Sequence, residues 1–486
     1  AVPFGTPFRD GRDGVEGGGR SEGLTDYAPG LEAAFARVPE ERCCAPVRVE
    51  GSIPEFLRGT YYLNGPARFE RGGFRYQHWL DGDGMVCALR FTSEGAQLTS
   101  RFVRGNKWRA EEEAGRPLFR AFGTAFEGDR LARGGIALES PLNVSVYPYG
   151  ETLLAFGEQG RPWELDPLTL ETRGEFTFGG QLGSVAPFAA HPKIDAETGE
   201  LFNFGVSFAA GGPQLHFYRF DAEGGLVYRK RLPLPGPCSI HDFALSGEHA
   251  IFHVSPYHLD MESLVKGSSI LDSLRWNPEQ GSELRILSRE TGEQVASVPV
   301  GQRYCLHTIN AFEVGDRLVV DLLELDRPIY DEYHVPDLFV DVAPGRPVRR
   351  VIDLARSSQV ELREIPYQRA PDFAAIDPQR YGQPYEDFWM LGISTTGKPG
   401  RKFFDQLVHA RWDGPLDVWQ APPGVYLAGE PAFAEGGAIL CPLYDAVKNQ
   451  SAFAIFDAGD VARGPLATLH SDTPIHLAFH GIFKSV

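Results

Sequence analysis

The sequence has few cysteines, few basic residues and no long apolar run, and each of these absences excludes a class of protein. Six cysteines are scattered over 486 residues and only Cys43 and Cys44 are adjacent, which fits a reducing compartment and no disulfide framework. No stretch of 18 apolar residues occurs, so we predict no membrane-spanning helix. The 47 basic residues are outnumbered by 65 acidic ones, and the net charge of −18 argues against general nucleic-acid binding.

Two further absences concern the start of the chain and its secondary structure. The first eight residues lack a basic segment followed by an apolar core, so we expect no signal peptide and a cytoplasmic protein. Long helical patterns are nearly absent. The chain has 55 Gly and 37 Pro, spread evenly along its length, and together they form a larger share of the residues than the average of about 12%. Short apolar strands alternate with turns from Gly59 almost to the end, which predicts an all-β fold.

The spacing of the strands indicates one large β-structure. Residues 1–45 are rich in Gly, Arg and acidic residues and are predicted to be an arm packed on the surface. Residues 46–486 contain six or seven hairpins, roughly 50 to 65 residues apart, and no linker divides them. This repetition is typical of the blades of a β-propeller, and we predict a single propeller domain.

Four histidines recur in the same local setting. His191, His241 and His307 each lie six to eight residues before a turn glycine that opens an apolar strand, and His480 lies near the C-terminus in Phe479-His-Gly481. A side chain repeated at one place in a repeated hairpin is expected to point to one place in space, so four imidazoles should converge. A single His in a strand is more often a satisfied polar residue, and we assign no metal role to the other nine. Four converging neutral imidazoles suit Fe, Zn or Cu.

Seven short motifs, in this order, give the chain a resemblance to the carotenoid cleavage oxygenase family from about residue 45 to the end. Each motif alone is weak, and the combination is specific. They are Tyr62-Leu-Asn-Gly-Pro66, His78-Trp-Leu-Asp-Gly-Asp-Gly-Met85, Ala190-His-Pro-Lys193, Ile240-His-Asp-Phe243, His307-Thr-Ile-Asn-Ala-Phe312, Gly429-Glu-Pro431 and Phe479-His-Gly481.

The resemblance implies a seven-bladed propeller with loops and short helices forming a dome over one face, and one Fe(II) on the axis. The family's four ligands map onto the four histidines that the hairpin repeat selects. Its glutamates, which accept the outer ring N–H of the ligands, fall on Glu158, Glu430 and, through a looser alignment, Glu364. His191 would be the ligand without such a partner.

The resemblance also indicates residues that line the sites for O2 and substrate. Val144 takes the place of a family residue whose methyl crowds one open metal position, although a plain core valine is an equal interpretation. Leu306, next to His307, is a further lining candidate. Gly157 replaces the Lys that binds a phenol in the stilbene-cleaving branch, which removes that charge and is expected to open space.

The function implied by the resemblance is oxidative cleavage of a C=C bond by O2 into two carbonyl products. The missing Lys favours an apolar polyene, a carotenoid or apocarotenoid, over a stilbene. A stilbene-cleaving enzyme and a non-catalytic propeller scaffold remain alternatives, as does a propeller hydrolase, which would need a nucleophile or carboxylate pair near the axis.

A polyene substrate would be taken from a membrane, so a surface that contacts lipid is expected. Phe119, Phe122 and Phe126 have helical spacing and are candidates for a patch that dips into a bilayer, giving peripheral association. A short helix packed on the propeller explains the same spacing. No protein partner is predicted.

Overall fold

The computed structural model describes residues 25–132, 137–208 and 211–486. Within these ranges the chain consists mainly of short antiparallel strands, which confirms the all-β prediction. Of the predicted arm, residues 1–24 lie outside the described residues. The remainder contains a short helix, α1 (Glu32–Ala36), followed by a strand, β1 (Arg42–Pro46).

The later strands follow one another along the chain, most of them as hairpins. The first part of the chain forms β2 (Arg48–Gly51), β3 (Gly59–Arg68), β4 (Glu70–Arg71), β5 (Phe74–Arg75), β6 (Asp83–Thr92), β7 (Gly95–Phe102), β8 (Ser145–Tyr149), β9 (Thr152–Phe156), β10 (Trp163–Leu165), β11 (Thr172–Glu175), β12 (Lys193–Ile194), β13 (Leu201–Ser207), β14 (Gln214–Phe220), β15 (Leu226–Pro233), β16 (Ala244–Leu245) and β17 (His249–Val254). The second part forms β18 (Tyr257–Leu259), β19 (Leu274–Trp276), β20 (Ser282–Ser288), β21 (Gln294–Gly301), β22 (Tyr304–Val314), β23 (Arg317–Leu325), β24 (Gly345–Asp353), β25 (Ser358–Glu364), β26 (Asp372–Ala375), β27 (Asp387–Gly392), β28 (Gln406–Arg411), β29 (Asp417–Gln420), β30 (Val425–Leu427), β31 (Ala432–Ala434), β32 (Ala438–Asp445), β33 (Gln450–Asp457), β34 (Ala467–His470) and β35 (Gly481–Ser485).

Seven antiparallel sheets form the blades of a β-propeller. In order they are blade 1 (β1-β7-β6-β3-β35), blade 2 (β11-β10-β9-β8), blade 3 (β12-β13-β14-β15), blade 4 (β16-β17-β20-β21), blade 5 (β22-β23-β24-β25), blade 6 (β26-β27-β28-β29) and blade 7 (β2-β34-β33-β32-β30, with β31 also on β32). Strands at one end of neighbouring sheets contact each other, as β16 contacts β22, β22 contacts β26, and β31 contacts β35. The seven-bladed propeller is therefore confirmed.

Both ends of the described chain close the ring. The C-terminal β35 pairs with β3 in blade 1, from Gly59 opposite Ser485 to Leu63 opposite Gly481. The N-terminal β2 pairs with β34 in blade 7. Strands from opposite ends of the chain thus complete neighbouring blades, which leaves no gap between the first and last sheets.

Burial along the strands explains why their sequences differ. Central strands such as β3 and β23 are buried along almost their whole length, because neighbouring blades cover both of their faces. The outer strand β25 is exposed over most of its residues and carries Glu, Arg and Val in alternation. The apolar runs found in the sequence are therefore the middle strands of the blades.

We call the short helices, small hairpins and loops that lie outside the seven sheets the dome. The helices other than α1 are α2 (Asn106–Ala114), α3 (Met261–Val265) and α4 (Ile270–Ser273), and two small hairpins, β4–β5 and β18–β19, accompany them. None of the described helices is long and apolar enough to cross a bilayer.

The helical spacing of Phe119, Phe122 and Phe126 does not produce a helix, so this expectation was wrong. The segment is an irregular loop in which each Phe is partly buried. Gly123 N and Thr124 Oγ1 donate hydrogen bonds to the Asp81 carboxylate, at 2.9 and 2.6 Å, and these bonds fix a non-helical path.

A buried ionic network holds α2 against blade 1. Lys107 Nζ donates to Asp83 at 3.1 Å and to Glu111 at 2.9 Å, and Arg71 donates to the same Asp83 at 2.5 Å. All four side chains are almost completely buried. Asp83 therefore serves to anchor the dome through ion pairs.

Candidate metal centre

The four histidines singled out in the sequence occupy equivalent places in four blades. His191 and His241 lie just before β12 and β16, His307 lies within β22, and His480 immediately precedes β35. These strands end their sheets in blades 3, 4, 5 and 1. The equivalence explains how residues up to 289 positions apart in sequence reach one place.

The four imidazoles converge as the sequence predicted. One potential ligand atom from each ring lies within 4.8 Å of the others. His191 Nε2 and His241 Nε2 are 3.0 Å apart, and His241 Nε2 and His307 Nε2 are 3.2 Å apart. All four residues are buried, with exposures between 4% and 6%. The rings meet edge to face, as between His191 and His480, whose centroids are 4.3 Å apart.

These separations fit nitrogen ligands that share an ion. Two imidazole nitrogens about 2.1 Å from one metal, and at right angles to each other, lie about 3.0 Å apart. Without a cation, Nε2 lone pairs at this distance would face each other in a buried space. The donor set is therefore suited to a metal ion, and neutral nitrogen donors favour Fe, Zn or Cu among the common metals.

Carboxylates on the outer side of the rings orient the inner ring nitrogens towards the place where the four histidines converge. His241 Nδ1 lies 2.9 Å from Glu158 Oε1, and His480 Nδ1 lies 2.8 Å from Glu430 Oε2. An Nδ1–H that donates to a carboxylate leaves the Nε2 lone pair free for a metal. His191 has no such carboxylate among the described residues.

The third carboxylate is Asp372, and the expectation for Glu364 was wrong. His307 Nδ1 lies 2.6 Å from Asp372 Oδ1. Glu364 ends the outer strand β25, where its side chain is 44% exposed and pairs with Arg346 at 3.2 Å. Asp372 is eight residues further on and opens β26, so the chain reaches the axis only after the turn between the two strands.

Residues that follow three of the histidines lock their segments together. Lys193 Nζ donates to Asp242 Oδ1 at 2.8 Å, and the backbone N–H of Thr308 donates to Asp242 Oδ2 at 2.8 Å. These residues come from blades 3, 4 and 5, one or two positions after their histidines. Sequence reasoning missed this link, although the motifs that contain it were visible.

The electrostatics of the centre favour neutral rings at His191 and His480 and a positive charge near the carboxylates. Burial, together with the neighbouring imidazoles, lowers the pKa of His191 and of His480 well below the usual value. Burial also lowers the pKa of His241, but the Glu158 carboxylate outweighs it and the net shift is upward. Burial, with a contribution from Asp372, raises the pKa of Glu430 well above the usual value. A cation among the rings would offset these crowded carboxylates.

The residues expected to line the site lie in different surroundings. Val144 is 1% exposed, and its backbone carbonyl accepts a hydrogen bond from His480 N at 3.3 Å. Leu306 lines a small pocket with His307 and Asp372. Gly157 does not open space, contrary to expectation, because a Cβ at this position would overlap Ser140 Oγ.

An aromatic ring packs against the histidines, and one of the outer carboxylates is partly exposed. Phe373 packs 5.5 Å from His307 and 5.2 Å from His480, measured between ring centroids. The side chain of Glu158 remains 30% exposed, although that of its partner His241 is only 5% exposed. Apolar side chains thus enclose the inner side of the centre, whereas Glu158, behind His241, reaches solvent.

Comparisons with known proteins agree with this geometry. The family model of the retinal pigment epithelial membrane protein matches residues 35–485. The chain is 31% identical over 464 residues to isoeugenol monooxygenase of Pseudomonas nitroreducens, an alignment that covers 90% of this chain and 93% of the relative. It is 30% identical over 461 residues to apocarotenoid-15,15'-oxygenase of Synechocystis sp., with 89% and 91% covered. It is 28% identical over 467 residues to lignostilbene-alpha,beta-dioxygenase isozyme III of Sphingomonas paucimobilis, with 90% and 92% covered.

Solved structures give the same result. A mutant of the Synechocystis apocarotenoid oxygenase superposes with a TM-score of 0.85 at 27% identity, covering 95% of this chain and all of that one. A cobalt-substituted form of the same enzyme superposes with a TM-score of 0.84 at 27% identity, covering 94% and 98%.

Proposed function

The chain belongs to the retinal pigment epithelial membrane protein family, which includes carotenoid oxygenases, and we propose that it is a non-heme Fe(II) dioxygenase. In this proposal it cleaves a C=C bond of a carotenoid or apocarotenoid. The reaction consumes one O2 and delivers one oxygen atom to each of two carbonyl products, so no external reductant is needed. The proposal rests on one observation: four buried imidazole nitrogens converge, and three of the four rings contact a carboxylate through their other nitrogen.

The protein's residues would hold the metal and leave part of it free. His191, His241, His307 and His480 are the proposed ligands, and the bound Fe(II) would supply the site at which O2 is activated. Val144 stands beside His480, where its methyl groups would restrict access on that side. The four histidines and Val144 would thus leave only part of a bound ion accessible to O2.

Beyond holding the metal, the residues around the centre would enclose the alkene. The aromatic wall around Phe373 and Phe479 would exclude water and hold the double bond close to the metal. No acid or base is required, since a C=C bond and O2 together contain all the atoms of two carbonyls. Glu158, Asp372 and Glu430 then have one role, which is to orient the ligands.

Metal content and product analysis test the proposal. Purified wild-type protein loaded with iron should hold about one iron per chain, consume O2 with a panel of carotenoids, apocarotenals and stilbenes, and place ¹⁸O from ¹⁸O2 in both products. His307→Ala should lose the metal and the activity. His409→Ala is the matched control, because His409 is a buried histidine that pairs with Asp387 away from the centre. A folded protein with little iron and no O2 consumption would instead indicate a non-catalytic scaffold.

A stilbene or a related phenolic alkene is the second candidate substrate. Relatives of comparable identity are named for isoeugenol and lignostilbene. Against it stands Gly157, where the stilbene-cleaving branch has Lys. The masses of the products from the same panel decide between the two substrates.

Peripheral membrane contact remains a prediction. Phe122 packs against Tyr330, with 4.8 Å between the ring centroids, and Phe126 packs against Phe74, with 4.9 Å between the ring centroids. Only part of the predicted patch is therefore free to meet lipid. Co-sedimentation with phospholipid vesicles should fall for Phe119→Ser, and unchanged binding would reject the patch.

A further inference from the structure

A group of buried tyrosines lies beside the metal centre. Tyr304 is on β22, three residues before His307, and is 1% exposed. Its ring packs 5.6 Å from Tyr257 and 6.2 Å from Trp276, again between centroids. Tyr330 belongs to the same cluster, with its ring 6.4 Å from Tyr257. These rings form part of the apolar core that also contains Leu306 and Phe373.

The hydroxyl of Tyr304 lacks a partner in this core. It lies next to the hydroxyl of Tyr330, but it makes no hydrogen bond of good geometry within the described residues. Buried tyrosine hydroxyls normally find a partner, because an unpaired buried polar group is unfavourable. Several other buried tyrosines of this protein follow that rule; Tyr218, for instance, donates to the Pro187 carbonyl at 2.9 Å.

The position of Tyr304 places this free donor near the metal centre. Burial foremost, with a smaller effect of the nearby Glu158 carboxylate, raises the pKa of Tyr304 and of Tyr330 well above the usual value. Both phenols therefore stay protonated and able to donate. Glu158 is hydrogen-bonded to His241, so the two phenols lie close to the proposed metal ligands.

We propose that Tyr304, with Tyr330 beside it, donates a hydrogen bond to an oxygen atom carried by the substrate. Tyr304 would then be a specificity-determining residue that selects alkenes with a carbonyl or hydroxyl oxygen over hydrocarbon polyenes. The inference rests on the proposed cleavage function and narrows its substrate class. Two sources offer this oxygen, the aldehyde or alcohol end of an apocarotenoid and the phenol of a stilbene.

Anaerobic binding tests the proposal without turnover. The iron-loaded protein is titrated with two matched pairs of ligands: an apocarotenal against a hydrocarbon polyene of similar length, and 4-hydroxystilbene against stilbene. Quenching of tryptophan fluorescence reports binding, since Trp276 packs against Tyr304. In the pair that matches the true substrate, the oxygen-bearing ligand should bind more tightly to wild type, and Tyr304→Phe should weaken it by about 5- to 10-fold. The hydrocarbon member should bind equally to both proteins.

Thermal unfolding separates a binding role from a structural one. Tyr304→Phe removes a hydroxyl that has no internal partner, so the melting temperature should stay constant or rise. Tyr218→Phe removes a formed hydrogen bond, so its melting temperature should fall while its ligand binding stays unchanged. A melting temperature for Tyr304→Phe that falls as far as that of Tyr218→Phe would mean that the hydroxyl has a structural partner, and would overturn the inference.

The outcomes also distinguish this inference from the proposed function. Equal binding of both members of each pair by wild type and Tyr304→Phe would overturn the inference even if both proteins cleave alkenes. Absence of cleavage with every substrate would contradict the proposed function, and a Tyr304-dependent preference in binding would still support the hydrogen bond.

Discussion

Replacing Asp372 by Asn should weaken metal binding, because Asp372 is the carboxylate that orients His307. The His307 Nδ1–Asp372 Oδ1 distance is 2.6 Å, and both side chains are less than a tenth exposed. A hydrogen bond to a charged acceptor is stronger than a neutral one by about 1 to 1.5 kcal/mol. Removing an outer carboxylate typically costs about 10- to 100-fold in metal affinity. Since Asn keeps an acceptor oxygen, we expect the lower end, about 10-fold.

Competition with a chromophoric chelator measures the affinity directly, and urea unfolding at a fixed free-metal concentration provides a second measure. A ligand that binds only the folded state stabilises it in proportion to the logarithm of its affinity, so a tenfold weaker site lowers the unfolding free energy by about 1.4 kcal/mol. The same variant without metal should lose much less, which separates the effect on the metal from an effect on the fold.

Glu364→Gln is the matched control, because Glu364 is the carboxylate that the family alignment suggested. It lies on the outer strand of blade 5 and pairs with Arg346, so its replacement should leave metal affinity unchanged. If Glu364→Gln weakens the site and Asp372→Asn does not, the assignment of the third carboxylate from the geometry is refuted.

Three other replacements probe the surroundings of the centre. Burial lowers the pKa of His78 to about 3, so at pH 5 the unfolded chain binds a proton at this histidine and the folded chain does not. The loss of unfolding free energy caused by His78→Gln should therefore be about 2 kcal/mol smaller at pH 5 than at pH 7. A loss that is the same at both pH values in urea unfolding would contradict this. Lys107→Met leaves Asp83 buried without one of its partners and should lower the unfolding free energy by about 3 to 5 kcal/mol, whereas Lys266→Met breaks an exposed pair and should have no measurable effect. Gly157→Ala should lower the unfolding free energy by about 1 to 3 kcal/mol through overlap with Ser140. In a Ser140→Gly background most of this loss should disappear. If the losses of the two single variants simply add in the double variant, the two positions do not touch.

The sequence predicted the metal centre well where the signal was repeated. Each ligand histidine lies shortly before, or early in, a strand that ends its sheet, and for His191, His241 and His307 this regularity was visible as a histidine before a turn glycine. The same regularity extends further than the histidines. In blade 6, β26 begins at Asp372; in blade 7, β31 begins two residues after Glu430; and in blade 2, β8 begins directly after Val144.

The seven blades thus contribute one residue each from equivalent places around the centre. Four of them are imidazoles, two are carboxylates that bind imidazoles of other blades, and one is the apolar Val144. Sequence reasoning could have found Asp372 by asking which residue opens the first strand of blade 6. It failed because β25 and β26 were not resolved in the sequence, and a Glu at the end of the outer strand matched the family motif instead.

Tertiary contacts explain why the loop of residues 119–126 was predicted incorrectly. The spacing of its three Phe residues satisfies a helical pattern, but the polar groups of Gly123 and Thr124 bond to Asp81. A side chain at Gly123 would also collide with His78. These partners are more than forty positions away in sequence, and local periodicity contains no information about them.

Metal binding and ring closure are coupled in this fold. His480 immediately precedes β35, the strand that closes blade 1, and its backbone carbonyl accepts a hydrogen bond from Asn64 N at 2.9 Å. The other three ligands come from blades 3 to 5, on the far side of blade 2. An ion held by all four residues therefore ties the C-terminal strand to the middle of the chain. Because no such set of ligands exists in the unfolded chain, the free energy of metal binding adds to that of folding, and the closing strand should be the first element to loosen when the metal is removed.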